Sequence, residues 1–100
     1  MSQDSFTYNF AADGDVSFSV EGSFRVNVSG NFGGGTIKLQ ERMSAGVFED
    51  VADTGKTAAA DYIVDNFGSN SYIANLNGAT SPDMNITVKA VKGKLVRQPS

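Results

Sequence analysis

The sequence has no cysteine and no histidine. Without cysteine, the chain has neither disulfides nor a thiolate nucleophile. Without histidine, it lacks the commonest metal ligand and the side chain that most often acts as a general base near neutral pH. Ser-His-Asp and Cys-His arrangements are therefore excluded. We expect a protein that is not an enzyme and that holds no metal and no cofactor.

Long apolar runs are also missing, since none approaches the roughly 18 residues of a membrane-spanning helix. The first residues, MSQDS, are polar and unlike a secretory signal peptide. We therefore expect synthesis in a cytoplasm and no association with membranes.

Charge is unevenly spread along the chain. The formal net charge is −3, but residues 1–88 carry −7 and the last 12 residues carry +4. The acidic body would repel phosphate, so nucleic acid is not an expected partner. The basic tail either binds an acidic protein surface or is a solvated, frayed terminus, and the sequence leaves both open. The basic residues of this tail are Lys89, Lys92, Lys94 and Arg97.

A chain of 100 residues predicts a single domain, residues 1–100. Turn signals recur mostly every eight to twelve residues, and apolar residues alternate with polar ones between them. This pattern predicts an all-β fold: a single antiparallel β-sandwich, jelly-roll-like or Ig-like, with about eight short strands and little or no helix. Typical alternating sets are Phe6, Tyr8 and Phe10; Val16, Phe18 and Val20; Met84, Ile86 and Val88.

Three local predictions are less direct. Residues 57–67 carry three alanines, which favour a helix, but the Tyr-Ile-Val run and the β neighbours favour a strand, which we prefer. Asp13-Gly14 is the best candidate for a hairpin turn. The two termini, residues 1–10 and 91–100, are candidates for extended arms.

A glycine-rich loop, SGNFGGGTIKLQ (29–40), resembles a phosphate cradle. A P-loop requires lysine after its closing glycine, but Thr36 follows Gly35. A second near-match ends in Gly55-Lys56-Thr57, and Asp50 stands where it needs a glycine. We therefore interpret the loop as a connection between strands, with Phe32 at its tip as either a core residue or a contact point.

Acidic turns offer an alternative class of function. Asp13 and Asp15 form one group, and Glu49, Asp50 and Asp53 form another, with oxygen ligands that suit calcium. The EF-hand pattern is absent, and aspartate is common in turns for structural reasons. A calcium- or carbohydrate-binding sandwich remains an alternative to the main hypothesis.

The N-terminal aromatic residues Phe6, Tyr8 and Phe10 also have two interpretations. They form one face of a strand, which either packs on the core or adds to the sheet of a neighbouring subunit.

Three segments resemble small bacteriophage virion proteins: GNFGGGTIKLQ (30–40), GVFEDV (46–51) and YIANLNGATSPDMNITV (72–88). The chain departs from that pattern by an extra loop glycine, by Phe48 where tryptophan is common and by Ile73 where arginine is common. The resemblance implies a β-sandwich that serves as a virion building block, with no catalytic residues.

The resemblance implies a capsid decoration (cement) protein that binds the outer capsid surface and stabilises the shell. The alternative is a tail, fibre or head–tail connector module. Expected partners are the major capsid protein or other virion proteins, and further copies of the chain in a homo-oligomer. The expected location is the virion, after synthesis in the cytoplasm of the host bacterium. Candidate interaction residues are Phe6, Tyr8, Phe10, Phe32, Lys89, Lys92, Lys94 and Arg97.

Overall fold

The computed structural model describes residues 4–98, which form nine strands and no helix. The all-β class is therefore confirmed, with nine strands against the eight or so predicted. Within these residues no apolar helix of membrane-crossing length occurs. The strands are β1 (Ser5–Phe10), β2 (Gly14–Glu21), β3 (Phe24–Asn31), β4 (Thr36–Ser44), β5 (Val47–Asp50), β6 (Ala60–Val64), β7 (Ser69–Asn77), β8 (Asp83–Ala90) and β9 (Lys94–Arg97).

The strands pair into two antiparallel sheets that enclose one core. One sheet has four strands in the order β1-β8-β3-β6, and the other has five in the order β5-β4-β7-β2-β9. Successive strands pass from one sheet to the other at every connection except β4–β5, which is a hairpin. Neighbouring strands are therefore mostly distant in sequence.

The core consists of the apolar sets that alternation predicted. Phe18, Val26 and Ile86 are almost fully buried, and the polar residues between them face solvent. The Tyr72 ring stacks on Phe18, with 5.7 Å between ring centroids, and meets Phe24 edge-on at 4.9 Å. Period-two patterning thus placed the buried face of each long strand correctly.

The hairpin predicted at Asp13-Gly14 is wrong. Strands β1 and β2 lie in different sheets, so residues 11–13 cross between sheets instead of reversing the chain within one. Gly14 does not adopt the positive φ that a tight hairpin turn requires. The Asp13 carboxylate accepts hydrogen bonds from the backbone N–H groups of Gly78 (3.1 Å) and Ala79 (2.9 Å). The aspartate therefore ties this crossing to the β7–β8 connection.

Residues 57–67 include a strand, as preferred. Strand β6 covers Ala60–Val64 and pairs with β3 at the edge of the four-stranded sheet. Val64 points into the core, whereas Ile63 is 61% exposed on the outer face. Pairing with β3 outweighs the helical propensity of the alanines.

The predicted arms are integrated into the sheets where the structure describes them. Residues Ser5–Phe10 pair with β8 along their whole length. Strand β9 pairs with β2, and Leu95 packs against the core. Of the predicted arms at 1–10 and 91–100, residues 4–10 and 91–98 therefore do not extend from the body; residues 1–3 and 99–100 lie outside the described part.

Candidate functional site

The predicted aromatic contact residues divide into two groups. Phe10 and Phe32 are only 3% and 5% exposed, so they are core residues and offer no face to a partner. The contact interpretation of these two is corrected, and the core alternative holds for both. Phe6 and Tyr8 are half-buried against the core. Their strand β1 is an edge strand, so its addition to a neighbouring sheet stays a prediction.

The four basic candidates do not form one patch. Lys89 lies on the outer face of the four-stranded sheet, directly opposite Arg25. Arg97 lies on the outer face of the five-stranded sheet, opposite Ser19. Lys92 is in the β8–β9 connection, and Lys94 begins β9. The fold therefore separates residues that are close in sequence onto opposite faces of the sandwich.

The acidic residues of the calcium alternative are dispersed. Among residues 4–98 no three acidic side chains gather into an arrangement that could hold a metal ion. Asp15 accepts a hydrogen bond from Asn75 at 2.5 Å. Asp50 accepts from Gln40 (2.9 Å) and Lys38 (3.3 Å), and these hydrogen bonds, the one from Gln40 first, hold the pKa of Asp50 below its usual value. Structural contacts thus account for the carboxylates of Asp15 and Asp50.

A buried asparagine holds the β6–β7 connection in place. Asn66 is 6% exposed, and its amide group donates to the carbonyl oxygens of Val20 (3.3 Å), Gly22 (3.1 Å) and Gly68 (3.2 Å). Its Oδ1 atom accepts from the Tyr72 hydroxyl at 2.8 Å and from Asn70 at 2.6 Å. Every polar atom of the side chain is satisfied, so the connection is held rigidly.

Phe67, the next residue, is 91% exposed. Around it, three connections meet: Gly22 donates to the Gly68 carbonyl (3.1 Å), and Val91 donates to the Ser23 carbonyl (2.9 Å). We call this end of the sandwich, formed by residues 22–23, 65–68 and 91–93, the Phe67 end. It presents a fully exposed aromatic ring on a fixed backbone.

The exposed apolar residues concentrate in this half of the molecule. Strand register places Ile63 opposite Arg25, near the start of β3, and Phe48 opposite Arg42, near the end of β4. The connections at the opposite end, 11–13 and 78–81, carry small and polar residues. The large hydrophobic side chains exposed among residues 4–98, all in the half with the Phe67 end, are Met43, Val47, Phe48, Ile63, Phe67, Val91 and Val96.

A groove lies on the outer face of the five-stranded sheet, in the half of the molecule with the Phe67 end. Its floor is formed by β2 and β7, one wall by the β4–β5 hairpin and the other by β9. It consists of two adjoining hollows of about 470 and 420 Å³ that share Ser19, Arg42 and Ser71. We call it the arginine groove, because Arg42 stands on one wall and Arg97 on the other.

Raising the pH above 10 is expected to destabilise the fold through the core tyrosine. Burial, together with the nearby charge of Glu41, raises the pKa of Tyr72 from 10.0 to about 12. The unfolded chain therefore ionises this hydroxyl before the folded chain does. Stability from the neutral hydroxyl is complete below pH 10 and is lost as the pH rises to about 12. Urea unfolding as a function of pH measures the loss.

The matched variants for this prediction are Tyr72→Phe and Tyr62→Phe. Burial raises the pKa of Tyr62 to about 12 as well, so each variant should remove part of the alkaline loss. If both variants lose stability as steeply as the parent protein, the two hydroxyls are not responsible.

Sequence reasoning missed Phe67 and Arg42. Phe67 is not among the predicted contact residues, although its neighbours Asn66 and Gly68 are typical of a loop. Arg42 had no signal, because its significance depends on strands that are remote in sequence.

Comparison with known proteins gives a fold and no family. No family model and no curated protein matches the chain. Among solved structures it is similar to a mitogen derived from Yersinia pseudotuberculosis (YPM), with a TM-score of 0.57, 11% identity and 96% of both chains covered. It is also similar to PirA, with a TM-score of 0.58, 18% identity and 89% of this chain and 94% of PirA covered. At these identities the likeness concerns the fold alone.

Proposed function

We propose that this chain is a non-enzymatic structural protein of a bacteriophage virion, acting as a capsid decoration protein on the outer shell. The resemblance of residues 30–88 to small virion proteins supports the class. The sandwich is proposed to be a jelly roll. The facing strand orders β1-β8-β3-β6 and β5-β4-β7-β2, with β9 added at one edge, support that type.

The observation that carries the proposal is the exposure of Phe67, with Val91 49% exposed at the same end of the sandwich. Apolar side chains grouped on an exposed part of the surface mark a site that binds a partner more often than chance. Phe67, at 91% exposure, stands on a backbone that is already fixed by Asn66. A rigid aromatic anchor loses little conformational entropy when a partner covers it. The Phe67 end is therefore the proposed capsid-binding surface.

Decoration of a shell also supplies multivalency. Many equivalent sites on one particle allow each contact to be weak while the attached layer remains stable. Copies that touch each other on the shell would use edge strands, and the edges of the two sheets are β1, β6, β5 and β9.

The direct test is the composition of purified particles from the phage whose genome encodes the chain. Mass spectrometry should detect the chain, and gel densitometry should give a copy number similar to that of the major capsid protein. A copy number of only a few per particle would assign the chain to a tail, fibre or connector instead. Absence from particles would refute the virion proposal.

Phe67→Ser is expected to weaken binding to shells at least tenfold and to leave the fold intact, because a ring that is 91% exposed makes few contacts within the chain. Co-sedimentation of purified protein with shells that lack it measures the binding.

Phe67→Leu is the matched control, because it keeps an apolar side chain and should retain most of the affinity. Equal binding by the serine variant and the parent protein would show that the Phe67 end is not the contact. Thermal melting of all three proteins should be alike.

A further inference from the structure

The arginine groove contains a row of side chains that runs across the five-stranded sheet. Ser19 and Ser71 are directly opposite each other on β2 and β7, and their hydroxyls hydrogen-bond at 2.8 Å. Arg97 is opposite Ser19 on β9. On the other side, Glu41 is opposite Tyr72, so the next residue, Arg42, follows in line with Ser71. Two arginines therefore flank a pair of serines. The backbones of the two arginines are separated by three strand spacings, or about 14 Å.

Neither arginine has a counter-ion among residues 4–98. The ion pairs there join Arg25 to Asp61 and Lys38 to Asp50. Arg25, on the outer face of the other sheet, differs from Arg42 and Arg97 because it has a counter-ion. Its guanidinium donates to the Asp61 carboxylate through two nitrogens and lowers the pKa of Asp61.

Carboxylates are absent from the lining of the groove itself. The nearest acidic residue along β2 is Glu21, which is opposite Lys94 and accepts from the Ser69 hydroxyl at 3.5 Å. Asp50, on the outer strand β5, is held by Gln40 and Lys38. The two groove arginines are thus available to an external anion.

The shape of the groove suits an extended chain. Its floor follows β7 from Ser69 to Ile73, which is about 14 Å of strand. Serine hydroxyls on the floor offer both donors and acceptors, and Phe48 and Val96 line the walls with apolar surface. An extended peptide that lies along this floor points successive side chains to opposite walls.

Other anionic ligands fit less well. Stacking of a glycan would depend on Phe48 alone, because the chain has no tryptophan and the Tyr72 ring is packed against Phe18 in the core. Nucleic acid carries a phosphate at every nucleotide, so a chain of net charge −3 repels it more strongly than it repels a peptide with two carboxylates.

We propose that the arginine groove binds an extended, acidic peptide segment of another protein, with carboxylates at successive positions bound by Arg42 and Arg97. Guanidinium groups bind carboxylates in a bidentate geometry, which supplies both charge and direction. The geometry requires adjacent acidic residues, because residues separated by one position point to the same wall. This inference does not rest on the virion proposal, since it concerns the protein alone in solution.

Fluorescence anisotropy with a labelled hexapeptide that has two adjacent aspartates at its centre tests the proposal. The parent protein should bind this peptide more tightly than a hexapeptide with its aspartates separated by one residue, and should not bind the asparagine analogue. Arg42→Gln and Arg97→Gln should each weaken binding about three- to tenfold. Added salt should weaken it further.

Lys89→Gln is the matched control, because it removes one positive charge from the outer face of the other sheet. This variant should bind within about twofold of the parent protein, since charges beyond a Debye length of about 10 Å are screened. NMR shift changes should centre on Ser19, Ser71 and Ile73 of the groove.

Four results would overturn the proposal. The first is unchanged binding by both arginine variants, and the second is an equal loss in Lys89→Gln. The third is equal binding of the asparagine analogue, which would leave only apolar contact. The fourth is binding of sialyllactose or of a labelled oligonucleotide in the groove while the aspartate peptide fails to bind.

Discussion

Replacing Asn66 with alanine is expected to lower the free energy of unfolding by about 3 kcal/mol, because it leaves buried polar groups without partners. The Asn66 side chain donates to the carbonyl oxygens of Val20 in β2 and of Gly22 and Gly68 in two connections, and it accepts from the Tyr72 hydroxyl. The bonds to Val20 and Tyr72 are buried, and those to Gly22 and Gly68 are partly buried, so the Val20 carbonyl and the Tyr72 hydroxyl are the groups that lose a partner away from water. Urea unfolding at neutral pH, followed by circular dichroism, measures the change.

Asn70→Ala is the matched control for this prediction. Asn70 is half-buried and donates to the Asn66 Oδ1 atom and to the Phe67 carbonyl, so its loss should cost only about 1 kcal/mol. Asn66→Asp keeps the shape but replaces the donor with a charge, and should be at least as destabilising as alanine. Similar stability of Asn66→Ala and Asn70→Ala would show that the buried network is not the support of the Phe67 end.

Gly33→Ala is expected to destabilise the fold by about 3 kcal/mol, because a Cβ atom there has neither a suitable backbone nor free space. The φ of Gly33 is +61°, and a Cβ at this position would lie 2.5 Å from the Thr80 carbonyl oxygen. The Thr80 backbone cannot move freely, since its N–H donates to the Gly33 carbonyl at 2.9 Å. Thermal and urea unfolding measure the effect.

The neighbouring Gly34 provides the control. Its φ is +79°, but a Cβ there would have nothing within 4 Å. Gly34→Ala therefore carries only the backbone penalty of about 1 kcal/mol. Equal effects at the two positions would mean that close packing against the β7–β8 connection does not matter. A larger loss of stability in Gly33→Ala than in Gly34→Ala would show that the loop needs glycine at position 33 to pack against the β7–β8 connection.

The buried face of each strand was predictable because it depends on local order alone. Side chains alternate along a strand, so the period-two pattern from Val16 to Val20 and from Met84 to Val88 identifies the core-facing residues without knowledge of the partner strand. The Asp13-Gly14 hairpin failed for the complementary reason. A turn signal marks where the chain leaves a strand but does not say which sheet receives the next one.

The candidate surfaces were not predictable, because they are assembled across strands. Arg42, Ser71, Ser19 and Arg97 become neighbours only through the strand order β4-β7-β2-β9. Sequence proximity instead suggested that Arg97 belongs with Lys89, which the fold places on the opposite face. Composition alone was enough to exclude whole classes of chemistry, because the chain has neither histidine nor cysteine.

The tripeptide Asn-Phe-Gly occurs twice, at 31–33 and at 66–68, so the same local sequence can be compared in two different tertiary surroundings. Composition and alternation by themselves determined an all-β sandwich with polar and glycine-rich connections. They did not determine whether either phenylalanine is buried or exposed, since Phe32 is 5% exposed and Phe67 is 91% exposed. Tertiary structure decided it. Asn66 takes the inward position, where the Gly22 carbonyl of a second connection and the Tyr72 hydroxyl bond to its side-chain amide, and the next side chain, Phe67, points outward.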